Sequence, residues 1–485
     1  MLVAACARPQ ERPPGYLVVG LDAAPTALDP RTASDASSTI VLDLVHRGLT
    51  TTNAAGEPTP DLAERWESPD PLTYRFHLRA ARFHDGAPVR ADDVVATYRS
   101  LASPALRAQQ HEALELVAEV VAEDERTVRF TLREPAATFL HATRLAILPA
   151  KCAALPECRI GAGPFRLESA DIDTVRVAAS DTAEPRPALP GILFRVAPDS
   201  VSRALALARG AIDLVQNAVE PDLLPWLEEQ GLDVVATPGS TFHYVGLDLR
   251  DPLLADLRVR RAIAHAIDRE SIVRFVLAGH ARPANGLFPP EHWAHHDGAE
   301  YRYDPALARR LVEEAGAAGR RLTLKTSSVE IRRRVGEVVA AMLGEVGLDV
   351  EVRPLEWASL YGDVRRGRFD LFILAWVGIE DPDHWHTILH SRMTPPHGSN
   401  RGGYANDEVD LLTLEARRLP DREQRLERYR RVTDIAQRDL PFVPLWWVDN
   451  VVVKTKRLDG FVPTPTGDLR SLATARLISV PPATS

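Results

Sequence analysis

Three carboxylates, two tryptophans and two histidines fall within the eleven residues Trp376-Val377-Gly378-Ile379-Glu380-Asp381-Pro382-Asp383-His384-Trp385-His386. Carboxylates at that density can hold a cationic group, histidines can take a metal, and an indole pair can stack an apolar side chain. The plainer alternative is a surface loop whose carboxylates cap a helix starting near Pro382. An aromatic pair beside a strand end is costly to leave in water, which favours a pocket at Trp376 and Trp385. Other candidate constellations fail on spacing. His292, His295, His296 and Asp297 follow Pro289-Pro290 and precede Gly298, so a solvated loop is expected rather than a chelating helix. His111-Glu112 opens like a zinc-protease helix, but Glu115 stands where the second histidine belongs. Gly161-Ala162-Gly163-Pro164 lacks the third glycine of a dinucleotide loop. No G-x-S-x-G, Walker A or paired C-x-x-C motif occurs, so no nucleophile or phosphate cradle is visible.

A ligand loop needs a frame, and the segments before Trp376 supply one. Residues 322–326 read as a strand, and 331–346 as a helix with Val335, Val338, Val339, Met342 and Val346 on one face, ended by Gly347. A strand at 348–352, a helix at 356–366 and the apolar run 369–376 follow. This alternation predicts parallel crossover units, whose ligands bind outside the carboxyl ends of the strands. Earlier, 16–21 reads as a buried strand, 39–49 as a helix, and 74–79 and 127–132 as half-buried strands of period two. A helix starts at Ala91, and another, capped by Asp199 or Ser200, runs through Arg209 to Gly210 before a strand at 212–215. Residues 422–437 form an amphipathic helix, with strands expected at 441–447 and 451–453.

The chain has 485 residues, 45% of them hydrophobic and 26% charged, with a formal net charge of −9. At about 150 residues per domain that length suggests three domains, and the mild acidity argues against nucleic acid as a partner. No run of about 18 apolar residues occurs to span a membrane. Leu2-Val3-Ala4-Ala5-Cys6, followed by a polar, Pro-rich stretch, resembles the lipobox of bacterial lipoproteins, with Cys6 as the lipidated residue, although the basic and apolar regions of a full signal do not precede it. Cys152 and Cys158 then remain as an even pair closing a short loop, either a disulfide or two thiols in a turn.

Taken in order, several landmarks resemble family 5 of the bacterial extracellular solute-binding proteins, the oligopeptide and dipeptide binders of ABC importers. They include Leu28-Asp29-Pro30, Pro60-Asp61-Leu62-Ala63-Glu64-Arg65-Trp66, Phe83-His84-Asp85-Gly86, Gly161-Ala162-Gly163-Pro164-Phe165, Val259-Arg260-Arg261-Ala262-Ile263 and Asn400-Arg401-Gly402-Gly403-Tyr404. The resemblance runs from about residue 17 to 470. It implies an α/β fold: a two-lobed periplasmic-binding-protein-like clamp of class II, cluster C type, with an extra α+β domain inserted in the first lobe. Residues 1–14 would be a truncated signal or tether; 15–45, 160–240 and 446–485 the first lobe; 46–159 the insertion; and 241–445 the second lobe. The crossings near 241 and 446 would be the hinge.

In peptide-binding relatives the strand after the motif's Trp offers its backbone to an extended peptide, and a nearby Asp takes the α-amino group. Carried over, Trp376, Val377 and Gly378 would face Ser34, Asp35 and Ala36 across the cleft, with Asp381, Trp385, Asn400 and Arg401 in the site. Here the sequence departs: Ile379 stands where the Asp is expected, and Glu380 is the substitute at hand. The resemblance implies a monomeric receptor without cofactor or resident metal, in the periplasm or cell envelope and lipid-anchored. It would bind a peptide or peptide-like solute and deliver it to ABC permease subunits. Three alternatives remain at this level: a metal or metal-chelate carrier using His384, His386, His390 and His397, a metal-dependent hydrolase, and a sensory or chaperone-like descendant of the fold.

Overall fold

The computed structural model describes residues 12–102, 116–155 and 157–479. The lipobox-like segment around Cys6 lies outside them, as does His111-Glu112. The crossover units form as their periodicity requires. Strand Arg321–Ser327, helix Glu330–Glu345, strand Asp349–Leu355, helix Trp357–Arg365 and strand Leu371–Trp376 follow one another, and Lys325 pairs in parallel with both Arg353 and Phe372. Val335, Val339 and Leu343 bury the inner face of the first of these helices. Gly347, at φ +101°, lets the chain turn directly into the next strand.

These strands occupy one end of a large mixed sheet. Its order is Asp349–Leu355, Arg321–Ser327, Leu371–Trp376, Asp233–Leu247, Phe442–Lys454, Leu214–Gln216, Leu17–Leu21, Gly191–Val196, Thr174–Ala179 and Phe165–Ala170, with Ala281–Pro283 also on Phe442–Lys454. The two longest strands, Asp233–Leu247 and Phe442–Lys454, run antiparallel through the middle. Their register shifts between Thr237 and Thr241. Where two strands were expected at 441–447 and 451–453, one continuous strand forms. The polar Asn450 is carried inside it because its amide donates to the Thr464 and Pro465 carbonyls, 2.8 and 2.7 Å away.

Apolar side chains separate into distinct cores on either side of that register shift. On one side, Leu17, Val19, Val41, Phe165, Phe194 and Val452 pack together. On the other, Val245, Ile263, Leu324, Val339, Leu371 and Trp446 form one cluster, and Phe242, Phe372, Trp385, Tyr429 and Trp447 another. A separate antiparallel sheet, in the order Ala63–Asp70, Thr73–Leu78, Thr127–Leu132 and Val117–Ala122, is covered by helix Ala91–Leu101 around Phe76, Tyr98, Phe130 and Phe139. The early helix spans Ala36–Val45 rather than 39–49. Asp35 starts it by accepting from the Ser38 amide at 2.9 Å. Among the described residues no helix is long and apolar enough to cross a membrane.

Candidate solute-binding cleft

Strand Leu371–Trp376 is almost wholly buried, so it delivers the following loop from a rigid base. The last ladder pair is Phe242 with Trp376. Beyond it Val377 is 74% exposed, and Gly378 adopts φ +69°, a left-handed turn that favours a residue without Cβ. Backbone at Val377 and Gly378 is therefore presented outside the sheet, at the carboxyl edge where open α/β sheets bind ligands. The Trp376 ring itself faces inward. It stacks on Tyr244 with centroids 5.4 Å apart, meets His384 edge-on, and carries the Arg401 guanidinium 4.2 Å above its plane. Arg401 also donates to the Tyr244 hydroxyl oxygen at 2.5 Å and is itself buried.

The three carboxylates of the loop have different fates. Glu380 forms an ion pair with Arg144, accepts from the Thr52 hydroxyl at 3.4 Å, and lies 3.9 Å from His141 Nδ1. Asp381 accepts from Arg425 at 2.6 Å and stands 3.4 Å from His141 Nε2. Burial alone would raise its pKa, but the Arg425 guanidinium and His141 outweigh that and hold it well below the usual carboxylate range. Asp383 accepts from the Tyr429 hydroxyl at 3.1 Å and pairs with Arg417 at 3.2 Å. Its burial, with Asp381 beside it, pushes its pKa up to about 6 despite Arg417. Asp381 also accepts from the Asp383 amide at 2.8 Å and so caps the turn leading into helix His384–Leu389, whose own N-cap residue Asp383 makes no capping bond, while all three carboxylates cross-link the loop to other elements.

Glu380 reaches a cavity of about 570 Å³ where three parts of the fold meet. Pro30, Ala33 and Leu42 line it from helix Ala36–Val45 and the segment before it, His141 and Arg144 from the segment after strand Thr127–Leu132, and Glu380 from the loop after strand Leu371–Trp376. That volume falls in the range of small-molecule sites. A neighbouring cavity of about 680 Å³ shares the wall formed by Asp43, His46, Arg47 and Arg470.

Of the residues expected in the site, Glu380 lies on this cavity, and exposed Ser34 and Ala36 sit beside its Ala33 wall. Others are placed elsewhere. Asp35 is the helix cap, and its other oxygen accepts from Ser38 Oγ at 2.6 Å. Ile379, 4% exposed, packs into the second-lobe core. Trp385, expected to flank a pocket, is 2% exposed and stacks on Phe442. Asn400 donates to the carbonyls of Leu389, His390 and Tyr404 and accepts from the Tyr404 amide, so its side chain is used up in holding its own turn.

The histidines of the metal alternative do not converge. His384 packs on Trp376, the rings of His386 and His390 lie together with centroids 4.5 Å apart, and His397 is exposed. Among the described residues no group of three His, Cys, Asp or Glu side chains is placed to hold a metal ion. His292, expected in solvent, is instead buried. It stacks on Phe288, and its Nε2 is 3.0 Å from the Glu380 carbonyl, so it supports the loop from behind. Cys152 and Cys158 are joined in a disulfide. Sequence reasoning missed Arg144, His141, His46 and Arg470 because no local motif links segments so far apart in the chain.

Comparison with known proteins agrees with this architecture. Residues 57–393, well over half of the chain, match the family described as bacterial extracellular solute-binding proteins, family 5 Middle. The chain belongs to this family. Family 5 proteins are binding proteins rather than enzymes. A probable di/tripeptide-binding protein of Pseudomonas aeruginosa is 29% identical over 87% of this chain and 90% of its own length. The oligopeptide-binding protein AppA of Bacillus subtilis, solved with a nonapeptide, superposes with a TM-score of 0.82 at 26% identity, covering 96% of this chain and 99% of its own. DppA of Helicobacter pylori, solved with the peptide STSA, gives 0.82 at 26% identity, covering 95% and 98%. This family 5 chain therefore carries the two-lobed clamp of those structures.

Proposed function

We infer that the protein is the extracytoplasmic receptor of an ABC importer, binding a peptide or peptide-like solute between its lobes and delivering it to a membrane permease. The observation that carries this reading is the 570 Å³ cavity at the meeting of both lobes and the smaller unit, with the exposed backbone of Val377 and Gly378 at the carboxyl edge of the second lobe's strands. The naming of relatives as di/tripeptide and oligopeptide binders supports the solute class. We assign the first lobe to residues 15–45, 160–240 and 446–485, the insertion to 46–159 and the second lobe to 241–445. The hinge then lies in the two long central strands, at the register shift between Thr237 and Thr241. Cys6 is the proposed lipid anchor. For a solute to carry such a clamp from 1:99 to 99:1 closed, it must bind the closed form about 10⁴-fold better.

Native mass spectrometry of gently purified protein tests the reading. The expected result is a bound solute of a few hundred daltons containing peptide bonds, displaced by added di- or tripeptides in calorimetry. A non-peptidic co-purifying solute, with no response to any peptide, would overturn the solute class while leaving the receptor reading intact.

A further inference from the structure

Among the described residues, the cavity that Glu380 enters has no carboxylate left for an ammonium group. Glu380 is held by Arg144, Asp43 by Arg470 at 3.1 Å, and the neighbouring Asp61 by Arg47. Asp381 and Asp383, on the same loop as Glu380, are already paired with Arg425 and Arg417. Ile379, at the position where the family pattern has an acid, turns into the apolar core. Nothing on the second lobe's loop is thus free to neutralise a buried cation, which would be costly to enclose unpaired.

Hydrogen-bond donors, by contrast, are in surplus. Three guanidiniums, of Arg47, Arg144 and Arg470, line the cavity, each paired with one carboxylate, and the five N–H donors of a guanidinium outnumber the two oxygens of its partner. Arg144 Nε finds no acceptor among the described residues. Nor do Nδ1 or Nε2 of His46, a cavity-lining side chain that is 6% exposed. Burial and the nearby His84 push the His46 pKa down to about 3, so its ring is neutral and still carries one N–H without a partner. Burial and the adjacent Arg470 also disfavour the charge on Arg144. The Arg144 side chain is still one-third exposed, so an arriving anion reaches the outer N–H groups of its guanidinium and offsets that penalty.

We propose that this site recognises a carboxylate of the solute, taken by Arg144 with His46 beside it, and does not recognise a free α-ammonium group. The proposal rests on the reading of this cavity as the solute site, and it narrows the solute class to peptides or peptide-like acids whose amino end is dispensable. The carboxylate can come from a peptide's C-terminus or from an acidic side chain. Both present the same planar pair of oxygens to a guanidinium.

Calorimetry with four probes tests it: Leu-Leu, N-acetyl-Leu-Leu, Leu-Leu-amide and N-acetyl-Glu-Leu-amide. N-acetyl-Leu-Leu is expected to bind at least as tightly as Leu-Leu, and Leu-Leu-amide about ten-fold or more weakly, the loss of one charge-assisted contact. Retained binding of N-acetyl-Glu-Leu-amide identifies the side-chain source, and its failure beside tight N-acetyl-Leu-Leu identifies the C-terminus. Arg144→Gln is expected to lose about ten-fold in affinity for the acids, also when made in the Glu380→Gln background where no carboxylate is left without its partner, Arg144→Lys to recover part of it, and Glu380→Gln alone to raise affinity by removing the competing carboxylate. Tight binding of Leu-Leu-amide with loss of N-acetyl-Leu-Leu would overturn the proposal while leaving the peptide reading standing. Arg144-dependent binding of a non-peptide acid such as citrate, with no peptide bound, would keep the carboxylate site and overturn the peptide reading. Absence of binding by any acid overturns both.

Discussion

The Trp376 indole touches Tyr244, His384 and Arg401 on three sides and is 8% exposed, so truncating it empties a space the second lobe cannot refill. Trp376→Ala is expected to lower unfolding free energy by about 3–5 kcal/mol in denaturant titration, with Trp376→Phe losing much less. An unchanged denaturation midpoint would place the ring in the cleft instead. Asp383 brings a pH dependence. Its folded pKa of about 6 lies above that of an ordinary exposed carboxyl, so its contribution to stability is fully present below about pH 4 and is lost as pH rises through 6, on the order of 2 kcal/mol. Asp381 acts in the opposite sense. Its depressed pKa gives stability above about pH 4 that disappears on acidification. Buried histidines such as His46, with a pKa of about 3, lose stability on acidification over the same range and mask this limb in wild type, so the difference carries the check: from pH 4.5 to 6.5 the melting temperature of Asp383→Asn is expected to gain on that of wild type, and a pH-independent difference would refute the assignment. The sequence shows that these carboxylates and indoles cluster. It does not show which way each points, because loop direction depends on Arg144, Arg417 and Arg425 arriving from other elements.

At the scale of elements, the landmark Leu28-Asp29-Pro30 has a mechanical explanation. Asp29 and Arg31 form a fully buried ion pair at 2.7 Å. Arg31 also donates to the Cys152, Ala153 and Leu155 carbonyls, and Asp29 accepts from the Cys158 amide at 2.7 Å. The disulfide-closed loop is thereby fastened to the segment that leads into helix Ala36–Val45. Arg31→Met leaves Asp29 buried without its partner and is expected to cost about 3–5 kcal/mol. Hydrogen exchange should show new protection loss confined to residues around 148–160; uniform loss across the chain would argue against a local seam. The crossover units were legible because their apolar periodicity is local. Continuity of strand Phe442–Lys454 was not, since Asn450 is tolerated only through acceptors supplied by the Thr464–Pro465 turn.

Across the whole molecule, exposed ion pairs join segments far apart in the chain. Arg334 reaches Asp222 at 3.0 Å, Arg422 reaches Glu57 at 2.6 Å, and Arg418 reaches Glu134 at 3.1 Å. Each is exposed and worth at most about 1 kcal/mol. Together they bias the clamp without locking it, as a receptor that must release its solute requires. Combining Asp222→Arg with Glu57→Arg is expected to increase the radius of gyration of solute-free protein in small-angle scattering. Wild-type protein in about 1 M salt, where the screening length falls to about 3 Å, should move the same way. Identical scattering curves in all three samples would show that these pairs do not hold the lobes together. The sequence by itself determined the crossover units, the family and the loop after Trp376, since helix and strand periods and short motifs are local properties of the chain. Only the tertiary structure decided which carboxylates remain for a ligand: charge balance at Glu380 depends on Arg144, which lies 236 positions away in the chain and meets it only when the chain has folded.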